Sequence, residues 1–200
     1  MILRRYFLGL ALTLSGLSLA HADTPAAAPP QVKFTTNLGE FVVELYPDKA
    51  PNTVENFLGY VRDGHYNGTI FHRVINNFMI QGGGYDARYM EKPARPPIKH
   101  EGAEVKAKGG PTNTVGTIAM ARTNNPHSAS SQFFINVNNN DFLNHTAPSG
   151  QGWGYVAFGK VVSGMEVVNK IKLTPTGSGG PFPTDVPQTQ VVIQSAASVK

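Results

Sequence analysis

The sequence predicts a mainly β protein in which about eight short strands and two helices form either a closed antiparallel barrel or a sandwich. Most of the chain alternates apolar and polar residues over short segments bounded by turn residues, the pattern of half-buried strands. Only two segments have helical spacing instead. The 200 residues include 21 glycines, 15 prolines and no cysteine, so turns are frequent, and disulfides, zinc–thiolate sites and cysteine nucleophiles are excluded.

The first elements of the predicted domain are a β-hairpin and a helix. Residues 32–36 alternate, Asn37-Leu38-Gly39 suits a turn, and residues 41–45 alternate again. A helix is predicted over 51–63, because proline suits its first position and Gly64 suits its end. Its single apolar stripe consists of Val54, Phe57, Leu58 and Val61.

The rest of the domain is predicted to contain further strands, one more helix and one long loop. Ser163 and Glu166 begin the second helix in capping-box form. Residues 82–111 are rich in glycine and proline and have weak periodicity, which indicates a functional or mobile loop. The remaining strands are predicted at 69–74, 78–81, 114–120, 132–137, 155–161 and 186–194.

The first 22 residues have the features of a secretory signal peptide. Arg4 and Arg5 precede an apolar run from Tyr6 to Leu19, and Ala20-His21-Ala22 offers a small-x-small cleavage site. The sequence therefore predicts cleavage after Ala22, a periplasmic location in a bacterium and no membrane anchor in the mature chain; an uncleaved anchor is the alternative. Residues 23–31 are rich in alanine and proline and are predicted to be a tail.

The charge of the chain argues against a nucleic-acid partner. The formal net charge is +4, from 17 basic and 13 acidic residues. Loss of Arg4 and Arg5 with the signal would leave 15 basic and 13 acidic residues, a net charge of +2. So small an excess gives no electrostatic footprint for RNA or DNA. Because the sequence has no long apolar patch, we expect a monomer.

An arginine stands inside an apolar strand pattern in Phe71–Gly84, which reads FHRVINNFMIQGGG. A half-buried guanidinium is unfavourable without a partner, and the residues alone favour a structural salt bridge for Arg73. Met79 and Gln81 share one face of the next strand by alternation, so Gln81 is a candidate partner that orients Arg73. We interpret the adjacent His72 as a hydrogen-bonded structural residue rather than a general base.

A second unusual segment runs from Gly116 to Thr123 and continues after a gap at Ser130–Asn136. Alternation makes Gln132 and Phe134 point the same way from one strand. Periodicity alone leaves two interpretations equally open, a plain core strand or a binding surface.

These segments resemble the signatures of the cyclophilin family of peptidyl-prolyl cis–trans isomerases. The first resembles the family's FHRVI-x-x-F-M-I-Q-G-G signature, Ser131–Ile135 resembles its SQFFI segment, and Phe158–Val161 matches a further landmark. The similarity runs in order from about Val32 to Gln194, within a predicted domain of residues 32–196, and is greatest to the exported bacterial branch. The resemblance implies an eight-stranded antiparallel barrel capped by two helices, with a site on its outer face.

The resemblance also implies roles for individual residues. Arg73 matches the family's catalytic arginine. The substrate-binding residues comprise a proline-ring pocket, a polar wall and a segment that binds the substrate backbone. They are Phe78, Met79, Phe134 and Leu143 in the pocket, Gln81 and Gln132 in the wall, and Ala121, Arg122 and Thr123 in the segment.

Three positions at this implied site depart from the usual family pattern. Arg122 stands where many relatives have asparagine, Phe142 where many eukaryotic members have a tryptophan at the pocket edge, and Tyr155 where many have histidine. Phe142 and Tyr155 are still expected to contact substrate. Because that tryptophan supplies part of the family's contact with cyclosporin, the exchange at Phe142 puts cyclosporin binding in doubt.

The resemblance implies an enzyme that accelerates rotation about X–Pro bonds in exported or unfolded proteins and so assists folding. Its partners would be proline-containing polypeptides. The reaction breaks no bond, so no cofactor and no metal is implied. Two alternatives stay open: a binding module that holds proline-containing segments without useful turnover, and a hydrolase that would use Ser128, Ser130 or Ser131 near His127.

Overall fold

The computed structural model describes residues 28–199. The predicted signal peptide, its cleavage site and residues 23–27 of the predicted tail lie outside the described residues. The helices are α1 (Pro51–Arg62), α2 (Gly102–Ala107) and α3 (Met165–Lys172). The strands are β1 (Gln31–Thr36), β2 (Gly39–Leu45), β3 (Thr69–Ile70), β4 (Arg73–Ile75), β5 (Met79–Gly82), β6 (Thr117–Met120), β7 (Phe133–Asn136), β8 (Ala157–Ser163), β9 (Thr176–Gly179), β10 (Phe182–Pro187) and β11 (Val192–Ser198).

Nine of these strands form one antiparallel sheet in the order β3-β11-β1-β2-β8-β6-β7-β5-β4. Strands β3 and β4 lie at opposite ends of this order, yet only Phe71 and His72 separate them along the chain. Three peptide steps span at most about 11 Å, so the sheet must curl until its two ends approach each other. The strand order nevertheless has two ends, and a closed eight-stranded barrel is not confirmed.

Several elements differ from the sequence-based expectation. The predicted strand 69–74 is two strands, because the chain crosses between the two ends of the sheet at Phe71 and His72. The predicted strand 186–194 is also divided, between the end of β10 and the start of β11. The hairpin of β9 and β10 was not predicted, because its glycines and prolines obscure the alternation.

There are three α-helices among residues 28–199, where two were predicted. Helices α1 and α3 were predicted, and α1 begins at Pro51 as expected. Helix α2 lies inside the segment interpreted as a long loop; its six residues are too few to show a helical period. Within the same range, no helix has both the length and the apolar character needed to cross a bilayer.

The concave side of the sheet encloses the main apolar core, and alternate side chains of each strand face the other way. Phe34 of β1 stacks on Phe41 of β2 with ring centroids 4.9 Å apart, and Phe57 of α1 and Phe133 of β7 close around it. Phe134, the next residue of β7, belongs to a separate cluster on the convex side. This alternation gives the sheet a second apolar surface, and the candidate site lies there.

Candidate active site

The convex face of the sheet carries a small apolar cluster outside the main core. Strands β5 and β7 pair antiparallel, with Gln81 opposite Phe134, and both contribute a side chain to this cluster. A turn of 3-10 helix over Asp141–Leu143 covers one side of it. The buried members of the cluster are Met79, Ala119, Phe134, Leu143 and Ala157. Three of these side chains, those of Met79, Phe134 and Leu143, also line a surface groove.

The groove above this cluster has a volume of about 200 Å³. Every residue that lines it is among those the family resemblance implied. They are Arg73, Phe78, Met79, Gln81, Ala121, Arg122, Phe134, Leu143 and Tyr155. The fold therefore brings together side chains from five separate stretches of sequence into one concave apolar surface with two arginines at its edge.

Arg73 is open to solvent at the first position of edge strand β4, where 45% of its side chain is exposed. The closest carboxylate oxygen is Oδ2 of Asp185, 4.0 Å from the Arg73 Nε. Arg73 therefore has a salt-bridge partner, as the residues alone favoured, but the pair is long and open to solvent. The physical reason is that β4 lies at one end of the sheet, where the convex face is not covered.

Gln81 does not orient Arg73 in the way that the sequence suggested. The two residues are direct cross-strand partners on β4 and β5. The side-chain amide of Gln81, however, donates to Oε1 of Gln132 at 3.0 Å. Gln81 therefore joins the polar wall of the groove, and among the described residues the ion-pair partner of the guanidinium is Asp185.

Another wall of the groove consists of the Tyr155 ring and the guanidinium of Arg122. Tyr155 meets Phe134 edge to face, with ring centroids 5.6 Å apart. The Cζ of Arg122 lies 4.6 Å from the Tyr155 ring centroid, and its Nε donates to the carbonyl of Gly154 at 2.9 Å. A further guanidinium nitrogen donates to the carbonyl of Thr123 at 2.8 Å. Arg122 is thus held as part of the wall.

Three of the implied site residues lie beside the groove rather than in it. Phe142 is 73% exposed at the rim, where it stacks on Phe78 with ring centroids 5.7 Å apart. Thr123 and Gln132 line an adjoining hollow of about 210 Å³ that shares Gln81, Ala121 and Arg122 with the groove. These residues can reach only the parts of a bound chain that extend past the groove.

Three buried asparagines beneath the groove were not recognised from the sequence. Asn136 donates to Oδ1 of Asn113 at 3.1 Å and to the Thr117 hydroxyl at 2.9 Å. Its own Oδ1 accepts from Asn140 at 2.7 Å. Asn136 follows Phe134 by two residues, so strand alternation could have placed it on the same face. Asn140 lies in a run of asparagines that resembles a turn, which conceals its role.

The asparagine network holds three backbone segments that carry groove residues. Asn140 donates to the carbonyl of Phe78 at 2.8 Å. Asn113 donates to the carbonyls of Leu143 at 3.2 Å and Tyr155 at 3.1 Å. Because buried polar groups are unfavourable when unpaired, these bonds fix the positions of the segments. The network therefore sets the width of the groove.

We expect Asn136→Ala to destabilise the protein and to raise the KM for a proline-containing peptide. The substitution removes the donor to the Asn113 Oδ1 and to the Thr117 hydroxyl and the acceptor of one Asn140 hydrogen bond, so the free energy of unfolding should fall by about 2–4 kcal/mol. Urea denaturation measures the first effect and peptide kinetics the second. Asn139→Ala is the control, because Asn139 is exposed and should lose under about 1 kcal/mol. Equal losses in the two variants would contradict this account.

His72 is a buried, neutral histidine beside Arg73. Its ring lies 4.7 Å from the Tyr85 ring and 5.3 Å from that of Phe182. Burial first, and the Arg73 charge second, lower the pKa of His72 to about 4, against a smaller opposing effect of the Ile70 carbonyl. Its Nδ1 has no hydrogen-bond partner within residues 28–199. His72 therefore packs between two aromatic rings, and the hydrogen bond that was predicted for it is not formed at Nδ1.

We expect the free energy of unfolding to fall as the pH drops from about 6.5 to about 4, because two histidines are buried in their neutral form. Burial is the largest cause that lowers the pKa of His100 to about 4, as it does for His72. In this window the unfolded chain binds protons that the folded chain does not. Each of the two histidines should therefore lower the free energy of unfolding by about 3 kcal/mol. Urea denaturation across the window measures the loss, and His72→Gln should remove about half of it. A flat profile would contradict burial of the neutral imidazoles.

The hydrolase alternative lacks the required geometry. The Ser128 hydroxyl donates to the carbonyl of Asn125 at 2.7 Å. The Nδ1 of His127 accepts from the backbone N–H of His100 at 3.1 Å. Ser128 and His127 therefore do not form a nucleophile–base pair, which must share a hydrogen bond.

The fold and the groove together define an antiparallel β-sheet protein that can receive an extended apolar segment beside an accessible cation. The family described as "Cyclophilin type peptidyl-prolyl cis-trans isomerase/CLD" matches residues 31–198. The chain is 56% identical over 164 residues to peptidyl-prolyl cis-trans isomerase B of Escherichia coli (strain K12), which covers 82% of this chain and 96% of that relative. It is 50% identical over 186 residues to a peptidyl-prolyl cis-trans isomerase of Acinetobacter baylyi, covering 92% of each.

Solved structures agree with the sequence relatives. A crystal structure of a cyclophilin-type peptidyl-prolyl cis-trans isomerase from Cryptosporidium parvum matches with a TM-score of 0.66 at 26% identity, covering 86% of this chain and 98% of that one. A second structure of that protein, in the presence of the dipeptide Ala-Pro, matches with a TM-score of 0.65. The chain belongs to the cyclophilin-type peptidyl-prolyl cis–trans isomerases and is an enzyme of that class.

Proposed function

We propose that the protein catalyses rotation about X–Pro bonds. The proline ring binds in the groove over Met79 and Phe134, while Arg73 stabilises the twisted amide. The observation that carries this proposal is an exposed, loosely paired guanidinium at the edge of an apolar groove of about 200 Å³. A groove of this size suits a proline ring with its flanking backbone. The open face lets an extended polypeptide enter and leave.

The reaction asks the enzyme to lower a rotational barrier. Amide resonance gives rotation about the peptide bond a barrier of about 18–20 kcal/mol. The resonance is lost when the two halves of the amide are twisted perpendicular to each other. In that geometry the prolyl nitrogen regains its lone pair and becomes a better acceptor, so an arginine donor binds the twisted state more tightly than the planar one. A charge-assisted hydrogen bond contributes roughly 1.5–3 kcal/mol, or about 10- to 100-fold in rate.

The rest of the acceleration is assigned to the apolar groove. It holds the proline ring while the flanking carbonyl swings, so only one side of the bond has to move. The buried floor of Met79 and Phe134 excludes water beneath the ring, which strengthens the electrostatic contact at the edge. Neutral His72 takes no part, because no proton is transferred.

We further propose that the substrates are exported or unfolded polypeptides in the periplasm and that the enzyme assists their folding. The features of residues 1–22 support export, since a positive start, an apolar run and a small-residue site follow in order. Uncatalysed exchange of X–Pro bonds takes tens to hundreds of seconds, slow enough to limit folding. Fractionation of cells that express the full chain tests the location.

The proline-limited refolding of a model protein tests the proposed activity. If the protein is a folding catalyst, refolding should accelerate at substoichiometric amounts of it. If it only holds proline-containing segments, an effect should appear only near equimolar amounts. The second result would favour the binding-module alternative and contradict the proposal.

We also propose that the protein acts as a monomer and binds cyclosporin weakly. Phe142 occupies the rim position where many eukaryotic members have tryptophan, and it offers no indole N–H to a ligand. Titration with cyclosporin, with Phe142→Trp as the comparison, tests this point. Tighter binding by the variant is the expected result, and equal binding would contradict the assignment.

A further inference from the structure

The hairpin of β9 and β10 is a separate two-stranded sheet that packs beside the groove. Phe182 at the start of β10 fixes its position. The Phe182 ring meets the Tyr85 ring edge to face at 5.0 Å and lies 5.3 Å from the His72 ring. His72 immediately precedes Arg73 in the chain. The hairpin is therefore anchored directly next to the arginine of the proposed mechanism.

This anchoring brings Asp185 to Arg73. The Asp185 Oδ2 lies 4.0 Å from the Arg73 Nε, and 37% of the Asp185 side chain is exposed. The backbone of Asp185 has φ +66°, the left-handed region that non-glycine residues seldom occupy. The β9–β10 register is interrupted between Phe182 and Val186, so this conformation sits within an irregular stretch of the hairpin.

The arrangement leaves the guanidinium accessible. A cleft of about 450 Å³ remains between the hairpin and the sheet, lined in part by Arg73, Gln81 and Asp185. At 4.0 Å from the Nε the carboxylate forms an ion pair rather than a hydrogen bond, and the donors on the two terminal nitrogens stay available. Gln81 is engaged with Gln132 and does not hold Arg73. Asp185 is thus the group best placed to limit the rotamers of the guanidinium.

We propose that Asp185 is a positioning residue, which holds Arg73 through its Nε so that the terminal nitrogens meet the substrate amide. The inference rests on the proposed function, because it assumes that Arg73 acts on the X–Pro bond. Limiting a flexible side chain before substrate arrives lowers the cost of reaching the reactive geometry. Asp185 itself does not contact the reacting atoms.

Asp185→Asn is the principal test. Asparagine tolerates the left-handed backbone as well as aspartate does, so the change removes the charge without straining the hairpin. We expect kcat to fall about two- to fivefold, the range of an exposed ion pair, while KM changes by less than about twofold. Asp185→Glu keeps the carboxylate and should recover part of the loss. In both variants, the NMR signal of the Arg73 Nε–H reports the contact directly.

A matched control separates this effect from the loss of one surface charge. Asp48 is 67% exposed and pairs with Lys49, away from the groove residues. Asp48→Asn should leave kcat and the Arg73 Nε–H signal unchanged. The proposal is overturned if Asp185→Asn keeps full kcat, or gains kcat because the carboxylate competes with substrate.

Failure of this inference can be told apart from failure of the proposed function. If Arg73→Ala abolishes turnover while Asp185→Asn has no effect, only the positioning role is rejected. If Arg73→Ala retains turnover, the arginine mechanism itself is rejected. In the Arg73→Ala background, Asp185→Asn should have no further effect on kcat, because its target is gone.

Discussion

Arg73→Ala is expected to remove most of the isomerase activity while leaving the fold intact. The side chain is 45% exposed on an edge strand, so its loss should change the free energy of unfolding by under about 0.5 kcal/mol. Loss of the charge-assisted hydrogen bond should lower kcat/KM by about 10- to 100-fold. Exchange NMR on a proline-containing peptide measures the rate, and thermal unfolding measures the stability.

Two companion variants sharpen this test. Arg73→Lys keeps the charge but loses the planar fork, so its rate should lie between wild type and Arg73→Ala. Arg62→Ala removes an arginine that is 57% exposed and pairs with Glu55 on helix α1, and it should leave the rate unchanged. Near-normal turnover in Arg73→Ala would reject the assigned role.

Phe134→Ala is expected to have the second largest effect, because it removes the ring that floors the groove. The loss of a buried ring should destabilise the fold by about 3–5 kcal/mol. It should also raise the KM for a proline-containing peptide at least about tenfold, since the proline ring loses its apolar contact with the Phe134 ring. Urea denaturation and peptide kinetics, corrected for the folded fraction, measure the two effects.

The adjacent residue provides the control for this variant. Phe133 faces the main core, where its ring contacts those of Phe34, Phe57, Tyr66 and Phe71. Phe133→Ala should destabilise the fold by a similar amount but leave the KM of the folded molecules near that of wild type. If both variants raise KM equally, the groove is not the binding site that we propose.

The contrast between Phe133 and Phe134 also shows what the sequence predicts well. Local alternation placed Gln132 and Phe134 on one face of a strand, and the structure finds them on the convex side. Helix α1 was predicted from one apolar stripe and a proline at its first position, and it begins there. Both features depend on spacing within a few residues, which a single sequence displays directly.

Features that depend on distant parts of the chain were not predicted. Periodicity could not show whether Arg73 is buried or open, because this depends on β4 lying at the end of the sheet. The pairing of Arg73 with Asp185 depends on an irregular hairpin whose glycines and prolines carry no strand period. The buried network of Asn113, Asn136 and Asn140 likewise joins three segments that meet only in the fold.

The role of Arg73 can be seen directly in a crystal structure of the protein with a bound Xaa-Pro peptide. We expect the proline ring over Phe134 and Met79, with a terminal nitrogen of Arg73 within about 3 Å of the prolyl nitrogen or the adjoining carbonyl oxygen. A peptide bound elsewhere, or a guanidinium turned away from the X–Pro bond, would contradict it.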